Sequence, residues 1–367
     1  MKEERKRILD MVQEGKLTVD EALILLEELE KSSKVMEEKH EQLVKDLSTV
    51  VQFEESKKEK STHDQFQSTK DRIFDFVDAA VKKLKELDLD LNFGKHLDLS
   101  HIFQQSDANV KQIDIDIANG NITIIPWDQN DIRVECSAQV YRFDTMEEAK
   151  KNFLKEVSFE VEGDILGFST RQKWIKLETV IYVPDKEYDK VNIRLFNGGI
   201  GGANLTVKQF KMKTANGKIA LDNMDCEMVE VETANGAIQL KQCKIGELDA
   251  ETLNGTIFVD GDFRKVELQS FNGHIHCKLD GARCEVLEAK ATTGGIDIDL
   301  PEFVAVNGKL KSNLGNFTVD LEGIQIVEEK NEFMQKTFSF KSIKDSQSVI
   351  HLLADTKTGS IGIRKAL

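Results

Sequence analysis

Proline is nearly missing from this chain, with 3 residues in 367. Because proline cannot donate to a strand ladder, its scarcity leaves long hydrogen-bonded strands open almost everywhere. Aromatic residues amount to 7 per cent, with Trp127 and Trp174 far apart. A sugar groove lined by stacking rings therefore has little support. Basic residues are outnumbered, 50 Lys and Arg against 65 Asp and Glu, and the net charge of −15 argues against a nucleic-acid binder. The five cysteines (Cys136, Cys226, Cys243, Cys277, Cys284) form no C-x-x-C pair and are odd in number. Reduced buried thiols fit better than a disulfide framework. No uncharged run reaches the 18 residues of a spanning helix, and Met1 to Asp10 lacks the apolar stretch of a secretion signal. A cytoplasmic location is expected, with membrane association or surface exposure without a signal as the alternative.

What the chain does have is repetition. Asn197-Gly198, Asn216-Gly217, Asn235-Gly236 and Asn254-Gly255 are each 19 residues apart, and the echo continues at Asn272-Gly273, Thr293-Gly294, Leu314-Gly315 and Thr358-Gly359. Five residues before the glycine stand Met212, Val231, Ala250, Leu268, Ala289 and Leu310; two after stand Ile219, Ile238, Ile257, Ile275, Ile296, Phe317 and Ile361. Apolar residues at a period of two on both sides describe two half-buried strands per repeat. Asn and Gly tolerate positive φ, which allows a sharp turn between the strands. Thr214, Thr233, Thr252 and Ser270, three before the glycine, are expected to bond backbone at that turn.

Two architectures fit. One is an antiparallel meander with hairpin turns. The other is mainly β, a β-solenoid or β-helix-like stack of 18–22-residue coils. A meander would leave its apolar face needing a second layer that the sequence does not supply, so the solenoid is favoured. Residues 95–367 form this domain, with Val349 to Ile363 as an atypical closing coil. An early copy of the phrase stands at Asn119-Gly120, and a helix from Thr145 to Lys155, opened by Thr145 and Glu148, interrupts the copies.

Ahead of the stack, residues 1–31 read as a separate α-helical hairpin, with Gly15 ending one helix and Thr18 and Glu21 boxing the start of the next. A unit so short has little core and is expected to need a partner, engaged through Ile8, Leu9, Leu23 and Leu26. Residues 32–67 are charged and apolar-poor, a linker that is helical or disordered. Residues 68–94 carry an amphipathic helix, expected to cap the stack's open end; contact with a membrane surface is the weaker reading.

Chemistry is harder to find. No H-E-x-x-H, G-x-S-x-G or G-K-[ST] loop occurs, and the Gly198 to Gly202 run lies between strands rather than opening a helix, so a tight corner is expected. His274, His276 and Asp297 could meet on one wall, but an exposed polar wall is the ordinary reading. No catalytic residue, cofactor or metal site is assigned. The outward columns six and four before the glycine place Glu230, Glu232, Asp249, Glu251, Glu267 and Glu288 together, flanked by Lys211, Lys213, Lys290, Lys309 and Lys311. Stacked carboxylates repel, so a cationic peptide or Ca²⁺ would relieve them; a solvated wall is the plainer alternative.

The opening from Met1-Lys2-Glu3-Glu4-Arg5-Lys6-Arg7-Ile8-Leu9 through Glu14-Gly15-Lys16-Leu17-Thr18 to Glu21-Ala22, with the later Asn-Gly coils, resembles the YvlB-like and LiaX-like proteins of Gram-positive bacteria. These join a SHOCT-like helical hairpin to an adhesin-type β-repeat domain. The resemblance implies a non-enzymatic interaction or scaffold role in the cell-envelope stress response, with a protein partner in a membrane stress-signalling system. In LiaX-like proteins the N-terminal part is linked to sensing cationic or calcium-bound peptide antibiotics. A self-polymerising structural protein and a polysaccharide-acting β-helix enzyme remain the alternatives.

Overall fold

The repeated Asn-Gly phrase is a corner between two parallel walls. The computed structural model describes residues 2–51, 94–332, 335–343 and 348–366. In it Ile238 pairs in register with Ile219 on one side and Ile257 on the other, both in parallel. A hairpin turn would have paired antiparallel strands across the glycine. The chain is thus mainly β, a parallel β-rich stack preceded by helices.

The helices are α1 (Lys2–Gln13), α2 (Val19–Ser48) and α3 (Met146–Glu156). The early strands are β1 (His96–Gln105), β2 (Gln112–Trp127), β3 (Ile132–Tyr141), β4 (Ser158–Glu162), β5 (Ile165–Thr170) and β6 (Ile175–Pro184). The regular coils use β7 (Glu187–Asn197), β8 (Ile200–Ala203), β9 (Thr206–Asn216), β10 (Ile219–Asp222), β11 (Asp225–Asn235), β12 (Ile238–Asn254), β13 (Ile257–Asn272) and β14 (Ile275–Leu279). The last are β15 (Val286–Ala291), β16 (Ile296–Leu300), β17 (Ala305–Ser312), β18 (Phe317–Asp320), β19 (Ile324–Asn331), β20 (Lys336–Ser342), β21 (Val349–Thr356) and β22 (Ile361–Lys365). In each coil the strand before the corner joins the first wall and the strand after it joins the second.

Spatial order departs from chain order at both ends. The coils lie as 165–184, 112–127, 187–203, 206–222, 225–241, 244–259, 263–279, 286–300, 349–365 and 305–320. The segment expected to close the stack, Val349 to Ile363, is instead inserted one place in from the end. The end itself is the coil 305–320, whose β17 continues into antiparallel β20 and β19. At the opposite end β4 pairs antiparallel with β5, and β3 and then β1 extend the second wall beyond β6. α3 covers that end, burying Ala149 and Phe153, with Phe153 against the rings of His101 and Phe103. The amphipathic helix expected over 68–94 lies outside the described residues up to 93.

The inward columns face each other across the stack and are buried throughout, for example Ile219, Ile238, Ile257, Ile275 and Ile296 with Met212, Val231, Ala250 and Leu268. Each large side chain so placed contributes about 1.5–3 kcal/mol. The threonine column closes the corner, since Thr214, Thr233, Thr252 and Ser270 each donate to the glycine carbonyl of the preceding coil at 2.9–3.0 Å. An asparagine ladder runs beside it: Asn216 donates to Asn197, Asn235 to Asn216, Asn254 to Asn235 and Asn272 to Asn254, at 2.8–3.0 Å.

Glycine is required at most corners for space rather than for a left-handed backbone. A Cβ on Gly236 would lie 2.0 Å from the Gly217 carbonyl oxygen, and one on Gly217 would lie 1.9 Å from that of Gly198. Among the Asn-Gly corners, positive φ occurs at Gly120 and Gly198, near 131° and 130°.

Candidate interaction surface

Two outward features of the first wall meet at the corner. One is the acidic column pair. Glu230 stands in register between Lys211 and Asp249, Glu232 between Lys213 and Glu251, and Glu267 between Asp249 and Glu288. The six carboxylates foreseen as a wall are therefore brought together.

Their repulsion is largely offset by lysines. Lys211 bonds Glu230 at 2.7 Å, Lys213 bonds Glu232, and Lys290 lies 3.0 Å from Glu288 and 3.6 Å from Glu267. Burial opposes the charge of Lys213, but Glu232 and Glu230 outweigh it and raise its pKa. Glu251 takes its lysine from far away in sequence: Lys39 of α2 reaches it at 2.5 Å. Asp249 is the exception, with no cation partner among the described residues. Burial away from water, then the charges of Glu267, Glu230, Glu251 and Glu232, raise its pKa.

The other feature was hidden in the pattern. Two residues before each glycine, at a position that should face solvent, stand Ala118, Phe196, Ala215, Ala234, Leu253 and Phe271, all buried. α2 covers them: Leu43, Val44, Leu47, Val50 and Val51 form one apolar cluster with this column, and Met36 packs at its edge. Towards the far end the column turns polar, at Thr292, Lys357 and Asn313. There Asn313 donates to Glu28 at 2.7 Å, and Arg7 donates to the Thr358 carbonyl oxygen at 3.2 Å. The helix thus lies along the corner across the coils, touching the stack from Ala118 to Leu314. The available signal was an apolar residue beside every Asn-Gly, out of phase with the alternation.

This docking bears on residues 2–51, while the expected linker over 52–67 lies outside the described residues. The capping box forms as read, with the Thr18 amide donating to Glu21 at 2.6 Å and the Glu21 amide donating to Thr18 at 3.4 Å. Yet α2 runs on through Ser32 to Ser48, because Leu43, Val44 and Leu47 supply a second apolar side. The hairpin is not separate: it is docked on its own β domain. Ile8, foreseen as a partner contact, is wholly buried with Leu17, Ala22, Leu25 and Leu29, and Leu314 packs against that cluster. Leu26 is half-buried there, whereas Leu9 and Leu23 remain 51% and 53% exposed.

Other candidates resolve as architecture. Of the Gly198 to Gly202 run, Gly198 and Gly199 join β7 to β8 and Gly201 and Gly202 lie within β8; the Gly199 amide donates to Asn121 at 2.7 Å. His274 lies 2.6 Å from Asp297, while His276 stacks on Phe258 and faces Asp299 at 3.5 Å. Among the described residues no group of three or more His, Cys, Asp or Glu side chains is placed to hold a metal, and no helix is long and apolar enough to cross a membrane. The five cysteines are free and buried, and burial pushes Cys136, Cys226 and Cys284 up to about 12.

A corner-stacked β domain carrying an N-terminal helical hairpin defines a recognised class. The chain belongs to the Toastrack DUF4097 family, whose model matches residues 110–363, and a SHOCT-like domain matches residues 3–34. It is a YvlB-like protein, 46% identical over 369 residues to YvlB of Bacillus subtilis (strain 168), with 99% of each chain covered. Two solved structures are also similar. A candidate adhesin from Bacteroides fragilis aligns with a TM-score of 0.39 at 12% identity, covering 72% of this chain and 97% of its own. A candidate lipid-binding protein from Parabacteroides distasonis aligns with a TM-score of 0.36 at 13% identity, covering 73% and 97%.

Proposed function

We propose that this chain is a non-enzymatic interaction protein of the bacterial cell-envelope stress response, with its β-solenoid as the scaffold and its first wall and corner as the working surface. One observation carries the reading: the stack already holds an amphipathic helix on its outer corner, apolar residues in the column and Lys39 on Glu251. A surface that receives α2 in this way suits a partner with the same two features, an apolar stripe and a cation. Membership of the YvlB-like group, and the resemblance to LiaX-like proteins, support placing that partner in a membrane stress-signalling system. The hairpin's exposed Leu9 and Leu23 offer a second contact. The working location is the cytoplasm or the membrane surface. Antiparallel β4 and β19, rather than coil strands, form the two edges of the first wall, which argues against filaments that simply continue its parallel stacking.

The test is calorimetry of the full chain with a lysine-rich amphipathic peptide. Binding should weaken by about tenfold or more, and lose its salt sensitivity, when Glu230, Glu232 and Glu251 become Gln and Asp249 becomes Asn. Equal affinity for both proteins at low salt would remove the acidic wall from the reading.

A further inference from the structure

The coil 286–300 and the coil 305–320 are one ordinary step apart in sequence. Gly294 and Gly315 are separated by 21 residues, the same interval as Gly273 and Gly294. Nothing in the spacing prevents them from stacking directly. Instead the chain lays down 305–320, passes through β19 and β20, and returns to place β21 and β22 between them.

Direct stacking would have put Lys290 beside Lys311 in the first wall and Asp299 beside Asp320 in the second, although Glu288 would gain Lys309. Insertion breaks both like-charge pairs. Asp355 stands in register between Lys290 and Lys311, and Arg364 between Asp299 and Asp320. Arg364 grips Asp299 through two nitrogens, at 2.7 and 3.3 Å. The second wall thereby carries an unbroken alternating file, Asp260, Lys278, Asp299, Arg364 and Asp320. Like charges directly opposite on neighbouring strands destabilise, and opposite charges stabilise.

The same segment completes the core and the corner. Leu352 lies between Leu287 and Gly308, Ile361 between Ile296 and Phe317, and Ile363 between Ile298 and Val319. Thr356 donates to the Gly294 carbonyl oxygen at 2.7 Å, and Ser312 donates to that of Gly359 at 3.0 Å.

We infer that the space between the coils 286–300 and 305–320 is a strand-pair acceptor site, matched in charge and shape to residues 349–365. It is filled here by the chain's own segment and accepts that of a second copy when its own is withheld. Strand addition of this kind draws affinity from main-chain bonds and selectivity from alternate side chains.

The experiment uses the full chain carrying Asp355→Lys and Arg364→Asp, which restore like charges on both walls. Hydrogen exchange in 349–365 should accelerate by about tenfold or more, while 206–277 stays protected. The variant should then capture a fluorescent peptide of residues 348–366 with the native sequence, and the parent chain should not. Adding Lys290→Asp and Lys311→Asp to Asp355→Lys should restore first-wall protection. The inference is overturned if 349–365 stays protected, if 206–277 loses protection with it, or if the freed site takes up no peptide.

Discussion

Each corner glycine is a place where two backbones nearly touch. At Gly236 a methyl group would sit 2.0 Å from the Gly217 carbonyl oxygen, which itself accepts from Thr233, so neither partner can yield cheaply. Gly236→Ala is expected to cost about 2–3 kcal/mol in denaturant unfolding of the full chain, through overpacking rather than through φ. The sequence made the glycine conspicuous but pointed to the wrong cause, because positive φ and close approach select the same residue. Threonine was easier: its inward parity and its fixed distance from the glycine led directly to a backbone bond, and Thr214, Thr233 and Thr252 make one.

At the scale of elements, α2 and the corner column are two halves of one interface. Leu47 is wholly buried within it. Leu47→Ala should cost about 2–5 kcal/mol of docking and appear as faster amide exchange in α2, with coils 206–277 unchanged. Equal loss of protection in α2 and in 206–277 would instead mean that helix and stack melt as one body. The strands were legible because burial on one face imposes a period of two. The helix–stack contact was not, since Phe196, Leu253 and Phe271 look like stray apolar residues until the coils are superposed. Chain order was equally hidden: Lys290 and Lys311, or Asp299 and Asp320, reveal an inserted coil only once their neighbours are known. Of the candidate site, the acidic columns were visible in the alignment on glycine, but the lysine from α2 that reaches Glu251 was 212 residues away.

Across the whole molecule, charge is distributed by register, so one carboxylate can feel several coils. Asp249 titrates higher in the folded chain than in the unfolded one, which makes its ionised form a liability above that raised pKa. Asp249→Asn should therefore stabilise the protein at neutral pH by about 0.2–1 kcal/mol. The advantage should fade as pH falls through the carboxyl's raised pKa, where the parent protonates and sheds the same penalty. Unfolding curves at pH 7 and in mild acid, compared between parent and variant, measure both the sign and the window.

The long contact of α2 with the stack has a further consequence for how the two parts can change. A coil adds about 4.8 Å to the stack. A helix residue adds about 1.5 Å, so one coil corresponds to about three residues, slightly less than a full turn. The two rulings do not quite coincide, and the helix face slips by a fraction of a turn at every coil it crosses. Gaining or losing a coil thus demands a matching change of about one turn in α2, tying the dimensions of one domain to the repeat count of the other.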